Sequence, residues 1–274
     1  MLVFLTIALL VWGLLHLYLA RRLLAYRRGP GALRRILLAL LVSGFAAGPA
    51  GIAAGRLLAS PYGSWGAWTG WTYFGAVTIL VALLLTRDLA AFVLVRLDRW
   101  QGTRPGHQAE LADPERRRFL MAASGSVAVA STGALTLHGV DAARRAPEVV
   151  KLDLPVPGLP PIWDGYHIVQ LSDIHVGETI DKHFLIPIIE QVGALSPDLI
   201  ALTGDLVDGS VTNLHADVAP LGYLRARDGV FMVTGNHEYY SGAEQWCEHF
   251  RSLDVQVLNN AHQVIERKGR KLVV

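Results

Sequence analysis

Apolar residues follow two patterns along this chain, and the change from one to the other falls near residue 145. Before it they form long unbroken runs. Residues 2–20 are apolar apart from Thr6 and His16; 36–55 form a second run with Gly44, Gly48, Pro49 and Gly51 inside it; 68–86 form a third, entered through Tyr62, Trp65, Trp68 and Trp71 and left through Arg87 and Asp88. At about 1.5 Å per residue each run matches a hydrocarbon core of about 30 Å, so each predicts a transmembrane helix. Glycine and proline are tolerated in membrane helices whose neighbours pack closely, and tryptophan and tyrosine collect at the interface. Residues 89–100 read as an amphipathic, interfacial continuation of the third helix. Residues 119–139 are a weaker fourth run, in which Ala, Ser, Gly and Thr stand where Leu stood before.

Beyond residue 145 the runs shorten, and polar clusters close them. Residues 149–154 predict a strand, followed by Pro155, Pro157, Pro160 and Pro161 as a linker. Three further strands are predicted: 167–172 ends in Asp173-Ile174-His175, 199–203 in Gly204-Asp205-Leu206-Val207-Asp208, and 230–234 in Gly235-Asn236-His237-Glu238. Helix-like stretches separate them. Asp173, Asp205 and Asn236 are spaced by 32 and 31 residues, about one βαβ step each. The chain therefore reads as a multi-span helical membrane region over 1–100, a basic loop with a fourth span over 101–145, and an α/β domain over 149–274.

Composition agrees with this division. Of 274 residues, 52% are hydrophobic and 18% charged, against about 25% charged in an ordinary soluble domain, which excludes a wholly soluble protein. Residues 1–100 hold ten Arg, no Lys and two Asp, net +8; residues 147–274 hold nine Lys plus Arg and seventeen Asp plus Glu, net −8. The single cysteine, Cys247, excludes an internal disulfide and a Cys-based zinc cluster. A cleaved signal peptide at the start is disfavoured, because no basic segment precedes residue 2 and Arg21 and Arg22 follow the run. The arginines flank apolar runs and do not cover a soluble face, so nucleic-acid binding is not expected.

Arginine placement predicts an orientation. Arg21, Arg22, Arg27, Arg28, Arg34 and Arg35 lie between the first two runs, and Arg96, Arg99, Arg104 and Arg116 to Arg118 between the third and fourth. Positively charged loops stay cytoplasmic, so four spans put the C-terminal domain outside the cytoplasm. Arg116-Arg117-Arg118-Phe119-Leu120 also resembles a twin-arginine export signal, which would make the twin-arginine machinery a partner. On either reading the polypeptide crosses the membrane there.

Parallel strands joined by right-handed crossovers present their C-terminal ends along one sheet edge, so Asp173, His175, Asp205 and Asn236 are expected to converge. Carboxylate, imidazole and amide oxygen together suit a divalent cation of borderline hardness. Two such ions can share a carboxylate and promote in-line displacement at phosphorus. The three blocks, D-x-H, G-D-x-x-D and G-N-H-E, in that order, resemble the signature of the calcineurin-like metallophosphoesterases. Gln170 to His175, Thr203 to Gly209 and Thr234 to Tyr240 look most like its bacterial membrane-associated branch. The resemblance implies a layered α/β/β/α sandwich and two divalent ions of the Mn, Fe or Zn type. It places Asp173 and His175 on the first ion, Asp205 between the two and Asn236 on the second. His237 would face the substrate as a proton donor or transition-state stabiliser, with Asp208 orienting its ring and Glu238 in a supporting role.

The family pattern goes on to a further His and a G-H-x-H block, which this sequence lacks; the sandwich is expected to be incomplete at its C-terminus and the chain a fragment of a longer protein. The function implied is hydrolysis of phosphomonoesters or phosphodiesters by a water activated between two metals, at the outer face of a bacterial cytoplasmic membrane. A lipid or envelope component would suit as substrate. The alternative is a catalytically impaired membrane protein whose partial hydrolase domain binds a phosphorylated ligand or a partner.

Overall fold

A computed structural model describes residues 2–24, 31–58, 61–100 and 114–274. The predicted loop positions Arg27, Arg28 and Arg104 lie outside the described residues. The chain divides into two compact units, Met1–Ala143 and Arg144–Val274.

The first unit consists of α1 (Leu2–Leu24), α2 (Ala32–Leu57), α3 (Tyr62–Trp100) and α4 (Pro114–Ala143) among the described residues. All four are long and apolar enough to cross a membrane. The third run and its continuation form one unbroken helix of 39 residues, roughly 58 Å at 1.5 Å per residue and well beyond one bilayer core. The stretch that opens with Arg116 to Arg118 is likewise one helix, α4.

Small residues decide how α2 meets α3. A Cβ on Gly51 would lie 2.5 Å from the Gly66 carbonyl oxygen, and one on Gly70 would lie 2.6 Å from the Ile52 nitrogen. Only glycine permits backbones this close, and in lipid such packing drives helix association in place of the hydrophobic effect. The buried histidine of the unit and the acid Asp88 each have partners. Buried His16 bonds the Trp12 carbonyl at 2.9 Å and the Tyr73 hydroxyl at 3.0 Å. Asp88 accepts from Tyr18 at 2.8 Å and is ion-paired to Arg22 at 2.7 Å and Arg87 at 2.8 Å. Intramembrane ionisable groups are costly, and mutual pairing is what makes these tolerable.

The second unit opens at β1 (Ile168–Leu171) and proceeds through α5 (Lys182–Ala194), β2 (Leu199–Leu202), α6 (Val211–Val218) and β3 (Val230–Met232). It closes with α7 (Asn236–Ser241), α8 (Ala243–Ser252), β4 (Gln256–Val257) and the antiparallel hairpin β5 (Val264–Arg267) and β6 (Arg270–Val273). Residues 149–154 carry no strand. Val150, Leu152 and Leu154 alternate as a strand's residues do, yet all are exposed, and among the described residues no neighbouring backbone completes a ladder with them. Alternation makes a strand only where a partner takes up its hydrogen bonds.

β1 to β4 pair in sequence order and all in parallel. Side chains alternate between the two faces of this sheet. Val169, Ile200, Leu202, Val230 and Met232 point to one face and pack with Leu185, Ile188, Leu214, Trp246 and Phe250 of the helices. Leu199 and Phe231 point to the other, against Trp163 and Ile265 of the hairpin side. The layers thus run helices, parallel sheet, hairpin. Burial on both faces is why β2 and β3 are almost continuously apolar.

An ionic lock closes the N-terminal edge of the sheet. Arg267 lies over the Trp163 ring at 5.0 Å and the Tyr166 ring at 4.9 Å, and it pairs with Asp198 and Asp228. Tyr166 donates to Asp228 at 2.8 Å. Burial, together with that carboxylate, pushes the Tyr166 phenol well above its ordinary range. One arginine thereby ties the hairpin to the starts of β2 and β3 and leaves the opposite edge to the site.

Candidate active site

At the C-terminal edge the chain leaves β1 and β2 in two loops that run side by side. Asp173 N donates to Gly204 O at 3.1 Å, His175 N to Asp205 O at 3.1 Å, Val176 N to Leu206 O at 2.8 Å and Asp208 N to Val176 O at 2.8 Å. This zipper forces unusual backbone. Asp173, His175 and Asp205 have φ of 56°, 54° and 54°, a left-handed conformation that costs a side-chain-bearing residue about 1 kcal/mol or more. Three such residues in two adjacent loops mark a place where surrounding structure holds side chains against local preference.

Two glycines make the crossing with β3 possible. A Cβ on Gly204, whose φ is 88°, would lie 2.3 Å from the Gly235 nitrogen, and one on Gly235 would lie 2.2 Å from Asp205 Oδ1. The G-D and G-N blocks therefore touch backbone to backbone. Glu238 fastens them. Fully buried, it accepts from Gly235 N at 2.7 Å, Asp205 N at 2.9 Å and Leu206 N at 2.7 Å. Trp246 of α8 anchors the next turn by donating to Gly209 O at 2.9 Å.

Side chains converge on this frame. Asp208 Oδ1 accepts from His237 Nδ1 at 2.5 Å and from His175 Nδ1 at 3.1 Å, and the two rings meet edge to face with centroids 4.5 Å apart. One carboxylate thus orients both rings through their Nδ1 atoms. Asp205 Oδ1 accepts from His237 N at 2.9 Å, and Oδ2 has no hydrogen bond among the described residues. A donor atom of His175, one of Asp205 and one of His237 all lie within 4.8 Å of one another. The His175 imidazole and the Asp205 carboxylate, the imidazole oriented by a further carboxylate, are donors that suit a borderline divalent cation, so the residues present fit a metal.

Of the six positions singled out in the sequence, His175, Asp205, Asp208 and His237 form one connected cluster. Asp173 and Asn236 sit on the same sheet edge with exposed side chains, and neither side chain bonds the other four among the described residues. Two features go beyond the sequence reading. Asp208 serves His175 as well as His237, a pairing between loops that spacing does not reveal. The supporting role of Glu238 has a definite form, a clamp on three backbone N–H groups; its signal in the sequence was an acid three residues after Gly235, the position that reaches back to a helix's first amides.

Comparison with known proteins places these residues among relatives. A family model described as calcineurin-like phosphoesterase matches residues 166–269. A protein of Danio rerio named transmembrane protein with metallophosphoesterase domain is 37% identical over 154 residues, covering 54% of this chain and 35% of that protein. A Bos taurus protein of the same name is 38% identical over 167 residues, 61% of this chain and 37% of that protein. An uncharacterized metallophosphoesterase of Helicobacter pylori is 38% identical over 93 residues, 34% of this chain and 25% of that protein. The chain spans about a third of the length of the first two. No solved structure matches.

Proposed function

From the premise that residues 166–269 form a calcineurin-like phosphoesterase domain, we propose that the chain carries a membrane-tethered, metal-dependent hydrolase of phosphomonoesters or phosphodiesters. The observation behind this reading is the shared Asp208 carboxylate, which holds the imidazoles of His175 and His237 together, with donor atoms of both within 4.8 Å of one of Asp205. Asp173, His175, Asp205 and Asn236 would be the residues that hold the divalent ions. The ions, when bound, supply Lewis acidity to water and to the phosphoryl oxygens.

The chain's own groups do the rest. Asp208 holds the His237 ring in place through Nδ1. His237 then delivers its proton to the leaving oxygen as the phosphorus–oxygen bond breaks and the oxygen of water bonds to phosphorus; the proton shed by that water passes to solvent, from which His237 is reprotonated. Asp205 keeps one oxygen on the His237 backbone, so its free oxygen cannot swing away from the site.

The proposed place of action is the outer face of a bacterial-type cytoplasmic membrane, supported by the arginines clustered after the first span and before the fourth. Arg116 to Arg118, in the first turn of α4, are read as the cytoplasmic flank of that span, with twin-arginine export as the rival account. The full chain in detergent is tested on bis(p-nitrophenyl) phosphate with and without manganese, beside Asp205→Asn. Manganese-dependent turnover that falls at least a hundredfold in the variant supports the enzyme. Absence of any manganese-dependent turnover overturns it in favour of a domain that only binds.

A further inference from the structure

Two tyrosines follow the G-N-H-E block, and the fold treats them differently. Tyr239 is tethered, its hydroxyl 3.5 Å from Thr234 Oγ1, which in turn bonds Asn259. Tyr240 is 80% exposed, and its hydroxyl has no hydrogen bond among the described residues. Its ring stands 5.6 Å from the ring of His237 at 69°. A single exposed aromatic is ordinary on a protein surface. This one borders the imidazole assigned to the leaving group, and a tyrosine ring carries a large stacking surface at low conformational cost.

We propose that Tyr240 is a specificity-determining residue that stacks a planar, aromatic leaving group, so that the site prefers aryl or nucleobase-bearing phosphoesters over alkyl ones. The proposal rests on the phosphoesterase reading above, since it takes the His237 side of the site as the leaving-group side. Its chemistry is specific. Stacking needs the ring and not the hydroxyl, so phenylalanine serves where leucine does not. It also discriminates among ligands: a phosphorus group without a planar substituent has nothing to place on Tyr240.

Isothermal titration of the full chain in detergent, with manganese present, reads this without turnover. The probes are phenylphosphonate and methylphosphonate, which share the phosphoryl chemistry and cannot be hydrolysed at an ester bond. The wild type is expected to bind phenylphosphonate about two- to twelvefold more tightly, the range of an aromatic pair. Tyr240→Leu is expected to bring the ratio near one by weakening only the phenyl ligand, and Tyr240→Phe to keep it. Equal affinities in the wild type, or a ratio that survives Tyr240→Leu, overturn the proposal while the phosphoryl site stands. An alkyl or lipid substrate class would give that result. Binding of neither phosphonate removes the phosphoryl site and this inference with it.

Discussion

Glu238 is shut off from solvent and has no ion-pair partner among the described residues, and it is stabilised by direction: three backbone N–H groups from two loops point at its two oxygens. Hydrogen bonds to a charged acceptor contribute about 1.5–3 kcal/mol each, and a buried donor left without a partner costs a similar amount. Glu238→Gln keeps the size and replaces one acceptor oxygen by an NH2 that confronts those donors. The variant is expected to lose about 3 kcal/mol, read as a lower chemical-denaturation midpoint for the second unit. An unchanged midpoint would mean that the loops are held by their zipper alone. Asp208 teaches a related lesson. Spacing marks it as the second acid of G-D-x-x-D, but that its one oxygen reaches two imidazoles depends on where the loop after β1 lies.

At the scale of elements, the short strands and their polar endings were legible in the sequence because a parallel strand buried on both faces is a run of apolar residues, and its C-terminal end is where a turn must begin. Residues 149–154 show the limit. Their alternation is that of a strand, but pairing is a property of two segments, and the sequence of one cannot supply the other. The spans were legible for a simpler reason, since lipid requires a long apolar surface whatever the helix packs against. Which faces touch was not. The contact of α2 with α3 rests on Gly51, Gly66 and Gly70, whose missing side chains permit backbone approach. Gly70→Val puts two methyl groups where a Cβ alone would already lie 2.6 Å from Ile52 N. Overpacking of this kind costs about 1–3 kcal/mol, and the variant is expected to give a broader, less stable monomer in detergent by size exclusion and thermal scan. Behaviour equal to wild type would show that the two helices part without penalty.

At the scale of the molecule, a basic apolar unit and an acidic α/β unit share one chain, and net charges of +8 over residues 1–100 and −8 over residues 147–274 mark two environments. If the arginine-rich loops are cytoplasmic, an alkaline phosphatase fused after residue 150 is active and a green fluorescent protein fused there is dark. The reverse pattern would place the second unit in the cytoplasm. The sequence by itself determined the membrane character, the α/β class of the second unit, and the order of its three chemical blocks. These are properties of local composition and of spacing, which any fold of this chain must respect. Only the tertiary structure decided that Asp208 joins His175 to His237, that Glu238 clamps two loops, that α2 and α3 meet through glycines, and that Tyr240 rather than Tyr239 borders the His237 imidazole. Each of these is a distance between residues well separated along the chain or a choice between neighbours, and such distances exist only after the strands have been laid side by side.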